Sequence, residues 1–350
     1  MINAIKDLFC HIDRPLNLME VCGTHTVAIF RHGIRDLLPR GLKLLSGPGC
    51  PVCVTSIRDI DTAIAIAGRN DVILTTFGDM LRVPGGKQSL LEARAEGADI
   101  RVVYSPLDSL RIAADNKDKK VVFFAAGFET TAPLTAATAS EAEKLGIANF
   151  SLYTVHKVVP PAIGALLASG DIRIDGFILP GHVSTIIGTK PYRFIADKYS
   201  VPSVITGFEA KDILGGIAFL LRQVLEGRAS VEVEYRTVVK EEGNPTALKF
   251  INDIFEPADS HWRGIGLIPF SGLRLQKKWK HRDAETIFQP EVPEIAEPEG
   301  CMCGQVLRGI KMPHDCPLFA QVCTPDNPVG ACMVSSEGSC AAYYRYRSVL

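Results

Sequence analysis

The chain predicts an α/β fold on parallel strands, followed by a cysteine-rich end built differently. Three observations carry this. Between residues 16 and 226 a short apolar run, a turn rich in Gly, Pro or Ser, and an apolar periodic segment recur eight times. After Gly227 that rhythm stops. Six of the ten cysteines fall between Cys301 and Cys340, and none lies between residues 54 and 300.

The expected strands are 17–21, 42–45, 72–76, 100–104, 121–126, 150–155, 176–179 and 203–206. Helices follow most of them. Residues 55–67 read as a helix because Ser56 and Asp59 have capping-box spacing and Gly68 fits its stop. Residues 131–145 and 210–225 are equally periodic. Eight such units fit a single barrel or two doubly wound sheets, and periodicity does not separate them. The charged stretch 115–120 midway, and Gly-Phe-Glu at both 127–129 and 207–209, lean towards two domains. Residues 231–239 alternate as an exposed strand would. Residues 273–282 are basic around Trp279 and read best as a solvated loop, and 283–300 are acidic and Pro-rich, a loop or linker.

Composition narrows the function. Lys plus Arg total 38 and Asp plus Glu 39, a net charge of −1, which argues against a nucleic-acid binder. An apolar fraction of 47% with 22% charged residues excludes disorder along the whole chain. The first eighteen residues lack a signal-peptide core, and no apolar run is long enough to span a membrane, so a cytoplasmic protein is expected. In a reducing cytosol, clustered cysteines bind metal or do redox chemistry more often than they form stable disulfides.

Two motifs sit at strand ends, where parallel α/β folds place ligand sites: Cys22-Gly-Thr-His-Thr26 and Gly47-Pro-Gly-Cys-Pro-Val-Cys53. Cys22, Cys50 and Cys53 are therefore expected to converge. A helix start favours a thiolate by only ~0.3–1 kcal/mol, whereas lowering a thiol pKa by ~2 takes ~2.7 kcal/mol. Further help must come from protonated His25, from backbone donors or from a bound metal. As buried small residues, Cys50 and Cys53 would not need their glycine-rich setting. Other strand ends carry Thr76-Phe-Gly-Asp-Met80, Ser105-Pro-Leu-Asp108, Gly127-Phe-Glu-Thr-Thr131 and Pro180-Gly-His-Val-Ser184. Turn and capping chemistry explains any one of these, but it requires neither Glu129 nor His182. The tail spacing is neither a zinc ribbon nor a ferredoxin run. Four ligands plus one redox pair is the simple partition, and zinc with His314 as a spare ligand fits the spacing as well. No phosphate-loop or dinucleotide fingerprint is present.

These segments closely resemble the HypD family of hydrogenase maturation proteins. The resemblance rests on CGTHT at 22–26, GPGCPVC at 47–53, TFGDMLRVPGG at 76–86, SPLD at 105–108, GFETT at 127–131, PGHVSTIIG at 180–188, ITGFE at 205–209, CGQVLRG at 303–309 and CTPDNPVGACMVSSEGSCAAYYRY at 323–346. It spans nearly the whole chain. It implies two doubly wound, Rossmann-like parallel-sheet domains, over residues 12–117 and 118–228. A smaller third domain, 229–350, would be organised around a 4Fe–4S cluster, with residues 1–11 a candidate addition. It implies a cytoplasmic scaffold for the Fe(CN)2CO unit of NiFe-hydrogenases, with thiol and iron–sulfur redox activity. The implied partners are a HypC-type chaperone and HypE, the cyanide donor with HypF upstream; neither nucleic acid nor membrane is among them.

Carried over by motif, Cys22 matches the cysteine that holds the iron of the Fe(CN)2CO unit, and Cys50 and Cys53 match the redox pair beside it. Cys301, Cys316, Cys323 and Cys340 are assigned to the cluster, leaving Cys303 and Cys332 as an auxiliary redox pair. His25, Glu129, Thr130 and His182 are expected around the iron, and Cys10 is expected to be a packing residue. The rival reading is a free-standing iron–sulfur disulfide reductase of the ferredoxin–thioredoxin reductase type. A zinc-stabilised binding module is the third.

Overall fold

Each of the eight expected runs becomes a strand. The computed structural model describes residues 1–293 and 295–346. Its strands are β1 (Leu16–Glu20), β2 (Leu42–Ser46), β3 (Val72–Thr76), β4 (Ile100–Val102), β5 (Lys120–Ala125), β6 (Phe150–Thr154), β7 (Gly176–Pro180) and β8 (Ser203–Thr206). β3 and β7 are buried at every position, as strands covered on both faces must be. Ser56 and Asp59 form the expected capping box on the helix Ile57–Ala67. Ser105 and Asp108 form another on Pro106–Asp115, so the SPLD motif is capping chemistry.

The strands form two parallel sheets, which removes the barrel. One has the order β2-β1-β7-β8-β9, where β9 is Val231–Val233, and the other the order β4-β3-β5-β6. The expected boundary between residues 117 and 118 is corrected by this pairing. It would separate β3 from β5, whose residues Val72–Thr75 lie in register with Lys120–Phe123. β1 pairs instead with β7, far along the chain. The five-stranded sheet is thus assembled from two segments, and the four-stranded sheet is inserted between them. The charged stretch at 115–120 is a turn tied to the start of β3 by Lys120 and Asp71, 3.1 Å apart.

Three further expectations change. Only Val231–Val233 of the alternating run forms a strand, because it docks as an edge on β8 and the chain then turns. Residues 273–282 are not a solvated loop. They finish a strand and continue as a turn of 3-10 helix, Lys277–Arg282, that buries Arg282 against Glu143 at 2.6 Å and the carbonyls of Ile147 and Phe150, each at 3.0 Å. The N-terminal helix Ile2–Phe9 does not join the tail. Its Ile5 is fully buried with Leu16, Leu18, Ile213 and Leu221 beneath the five-stranded sheet.

The sequence reading did not anticipate the antiparallel hairpin β10 (Phe255–Trp262) and β11 (Gly266–Leu275). It crosses the end of β6, where Val158 donates to the Ser271 carbonyl and Leu273 to that of His156. Residues 301–346 contain only short helices and turns and pack beside both sheets. No helix among the described residues is long and apolar enough to cross a membrane.

Candidate functional site

Cys22 leaves β1 in an extended conformation and caps the helix Gly23–Arg31. The nearby backbone N–H groups of His25 and Thr24 favour its thiolate without a formed capping hydrogen bond. Burial wins over them and pushes its pKa up to about 12, so without a bound cation Cys22 is a neutral thiol. Two residues earlier, buried Glu20 accepts the Cys22 N–H at 3.0 Å and the Thr26 hydroxyl, which locks the turn.

Of the three candidate aids to a Cys22 thiolate, His25 does not supply a positive charge. Its Nε2 lies 2.9 Å from the Gly207 carbonyl, which can only accept, so Nε2 carries the proton. Burial lowers its pKa to about 4, making the ring neutral near pH 7, and its buried Nδ1 is left without a partner. The ring stacks on Phe208 at 4.8 Å, and Phe208 stacks on the exposed His182 at 4.0 Å. The two expected histidines thus flank one phenylalanine. Glu209, of the second Gly-Phe-Glu, is exposed and paired with Lys211, unlike buried Glu129.

The second motif lies against the first. Gly23 donates to the Gly49 carbonyl at 2.9 Å, and Gly47 to the Glu20 carbonyl at 2.7 Å. A Cβ on Gly49 would fall 2.1 Å from the Cys22 nitrogen, so only glycine permits this approach. Cys50 caps the short helix Pro51–Val54, and its Sγ is 2.6 Å from that of Cys53. The expected convergence of Cys22 with Cys50 and Cys53 is therefore present in the backbone.

The tail thiols meet this pair. Cys332 lies within hydrogen-bond reach of Cys303, Cys340 and Cys53, and Cys301 within reach of Cys303. Neighbouring Cys303 pushes the Cys332 and Cys301 thiols up, while burial raises Cys53 and Cys323. A Cβ on Gly330 would fall 2.5 Å from the Cys303 sulfur and 2.9 Å from that of Cys301, so glycine leaves space for sulfurs here. Cys316 is half-buried at the margin, its sulfur 3.7 Å from the Gly300 carbonyl. Among the described residues no three His, Cys, Asp or Glu side chains are prearranged as a metal site. The donor set, soft thiols converging around a glycine cradle, nonetheless fits an iron–sulfur group. Cys10 is not a packing residue but an exposed thiol donating to the Asp7 carbonyl.

Glu129 is 3% exposed. One of its oxygens accepts the Val159 N–H at 2.9 Å, the other has no partner, and burial raises its pKa to about 7. Burial raises the pKa of the Tyr192 phenol, and the charges of Glu129 and Cys22 add to that rise. Thr130 lines a cavity of about 410 Å³ together with Pro51, Val52, Phe77, Tyr104 and Phe128. Sequence reasoning missed Glu20, Tyr192 and Glu337. Glu337 accepts the Thr24 hydroxyl at 2.8 Å, which brings the tail onto the start of the Cys22 helix. Glu20 did carry a signal, as the one charge in an otherwise largely apolar strand. Glu337 and Tyr192 carried none.

A family model, HypD, described as the hydrogenase formation hypA family, matches residues 1–347. The chain is 49% identical over 341 residues to hydrogenase maturation factor HypD2 of Bradyrhizobium diazoefficiens, covering 95% of this chain and 90% of that protein. It is 47% identical over 352 residues to hydrogenase maturation factor HypD of Escherichia coli, covering 99% and 94%. It is 48% identical over 351 residues to a putative hydrogenase expression/formation protein of Methanocaldococcus jannaschii, covering 99% and 96%.

Proposed function

The chain belongs to the HypD family of hydrogenase maturation factors, and on that premise we propose that it is the scaffold on which the Fe(CN)2CO unit is assembled. The iron unit is cargo, held by the Cys22 thiolate together with a thiolate from a HypC-type chaperone, and cyanide arrives from HypE. The observation that carries this reading is the Gly23–Gly49 contact, which holds the Cys22 turn against the Cys50 and Cys53 turn at one shared end of β1 and β2.

Soft iron suits the thiol, and the Thr24 and His25 amides favour its anionic form once a cation binds. A neutral Cys22 must give up a proton on loading, so iron binding releases acid. Glu129, part-protonated near neutral pH, offers an O–H donor to a cyanide nitrogen, and His182 and His25 flank Phe208 beside the same turn. Thr130 is assigned to the neighbouring cavity mouth. A 4Fe–4S cluster, held by Cys301, Cys316, Cys323 and Cys340, would supply one-electron transfer. Cys303 and Cys332 then form the auxiliary thiol pair, with Cys332 within reach of Cys303, of Cys53 and also of the cluster ligand Cys340.

The test is an infrared spectrum of the chain co-produced with its chaperone and purified without oxygen. Cyanide and carbonyl stretches are expected, lost in Cys22→Ala while the brown tail centre stays. Cyanide-bearing iron retained in that variant would remove Cys22 from the role. A brown complex without those stretches, turning over disulfide substrates, would favour the reductase, and a colourless zinc protein the binding module.

A further inference from the structure

The tip of the β10–β11 hairpin is wedged between two cysteine segments. Trp262 bridges Thr55, and the Arg263 N–H donates to the Val54 carbonyl at 2.9 Å, directly after Cys53. Gly264, at φ +68°, lies against Gly304, directly after Cys303. A Cβ on Gly264 would fall 2.5 Å from the Gly304 Cα, and one on Gly304 would fall 2.1 Å from the Gly264 carbonyl oxygen. One tip therefore fixes the residue following each of two cysteines from different parts of the chain.

Arg263 carries a charge into this contact. Its side chain is 1% exposed. Nη1 donates to the Pro84 carbonyl at 2.7 Å, Nε meets Glu297 at 3.2 Å, and buried Nη2 has no partner. A guanidinium stays charged at any physiological pH, so this is a permanent buried cation. Its one carboxylate, Glu297, is 40% exposed and partly screened by water, so the charge is incompletely compensated. The neighbours of Arg263 place it at the tail thiols: the next residue, Gly264, packs on Gly304 beside Cys303, and its partner Glu297 directly precedes Pro298, whose carbonyl accepts the Cys301 N–H at 3.1 Å.

We propose that Arg263 is a positioning residue for the tail thiol centre, whose buried charge raises the reduction potential of that centre. The inference rests on the reading of the tail as an iron–sulfur site. Reduction there adds one electron and makes the centre more negative. A fixed neighbouring cation stabilises the reduced form.

The test is a reductive titration of the full chain, purified without oxygen and followed by electron paramagnetic resonance with dithionite and mediators. Arg263→Gln should lower the midpoint by about 59 mV, a tenfold loss in the one-electron reduction equilibrium. Arg263→Lys should stay near wild type. Glu297→Gln, a change at a half-exposed position, should shift the midpoint upward, and it keeps the test alive where Arg263→Gln fails to fold. Equal midpoints in wild type and Arg263→Gln at equal iron content overturn the inference alone, as does an unchanged or lowered midpoint in Glu297→Gln. A wild-type chain with no iron–sulfur signal overturns the tail reading and the inference together.

Discussion

The Gly23 amide donates to the Gly49 carbonyl at 2.9 Å, and this bond joins the two cysteine turns of the candidate site. Both backbones approach because Gly49 has no side chain; its Cβ would lie 2.1 Å from the Cys22 nitrogen. Gly49→Ala is expected to destabilise the chain by roughly 1–3 kcal/mol through overpacking and to move Cys22 away from Cys50. Gly68→Ala is the control. Its φ of −68° is ordinary and the nearest atom would be 3.5 Å away, so unfolding should be unchanged or slightly delayed. Thermal unfolding of both variants decides it, and equal midpoints would refute the steric account.

Cys53 contacts Cys50 on one side and Cys332 on the other, so it can exchange partners. After mild oxidation with a diamide reagent, peptide mapping of the wild-type chain should recover a Cys50–Cys53 disulfide. In Cys50→Ser the same oxidation should link Cys53 to Cys332. Recovery of free Cys53 in that variant would show that the two sulfurs do not meet.

Glu129 makes stability depend on pH with a definite sign. Its folded pKa, about 7, lies above its unfolded value of 4.5, so the folded state holds a proton that the unfolded state has lost. Its contribution is fully present below pH 4.5 and is lost as pH rises to about 7, a change of about 3 kcal/mol. Glu129→Gln lacks this term and keeps an acceptor for the Val159 amide. Denaturant unfolding at pH 5 and pH 7.5 should therefore show the variant gaining on wild type at the higher pH. A constant difference would mean that Glu129 is not buried as a neutral acid.

Arg282 is 4% exposed and donates to the Ile147 and Phe150 carbonyls. Arg282→Met should leave those acceptors unpaired and cost roughly 1–3 kcal/mol. Exposed Lys278 in the same turn should tolerate alanine without measurable loss. Comparable stabilities for the two variants would return this segment to a solvated loop.

Strand positions were legible because their cause is local: four to six apolar residues between turn formers, repeated. The capping box at Ser56 and Asp59 was legible for the same reason, since its partners sit three residues apart. The placing of cysteine motifs at strand ends followed from the parallel α/β pattern. The sheet partners were not legible. β1 pairs with β7, and nothing in Leu16–Glu20 distinguishes that neighbour from β3, because every buried parallel strand offers the same backbone hydrogen bonds and much the same apolar faces.

The charge state of His25 was not legible for a related reason. Protonated His25 was one of three candidate aids to a Cys22 thiolate, but burial against Phe208 makes the ring neutral, outweighing the Gly207 carbonyl, which favours the proton. Desolvation depends on everything packed around a group, and most of that comes from distant sequence. The sequence by itself determined the strands, the caps, the family and which thiols exist. Only the tertiary structure decided that Cys332 meets Cys53, that Glu337 reaches Thr24 and that Arg263 lies buried between two cysteine segments. Those contacts join residues from different chain segments, and the energy that selects them arises only when the packed layers close around them.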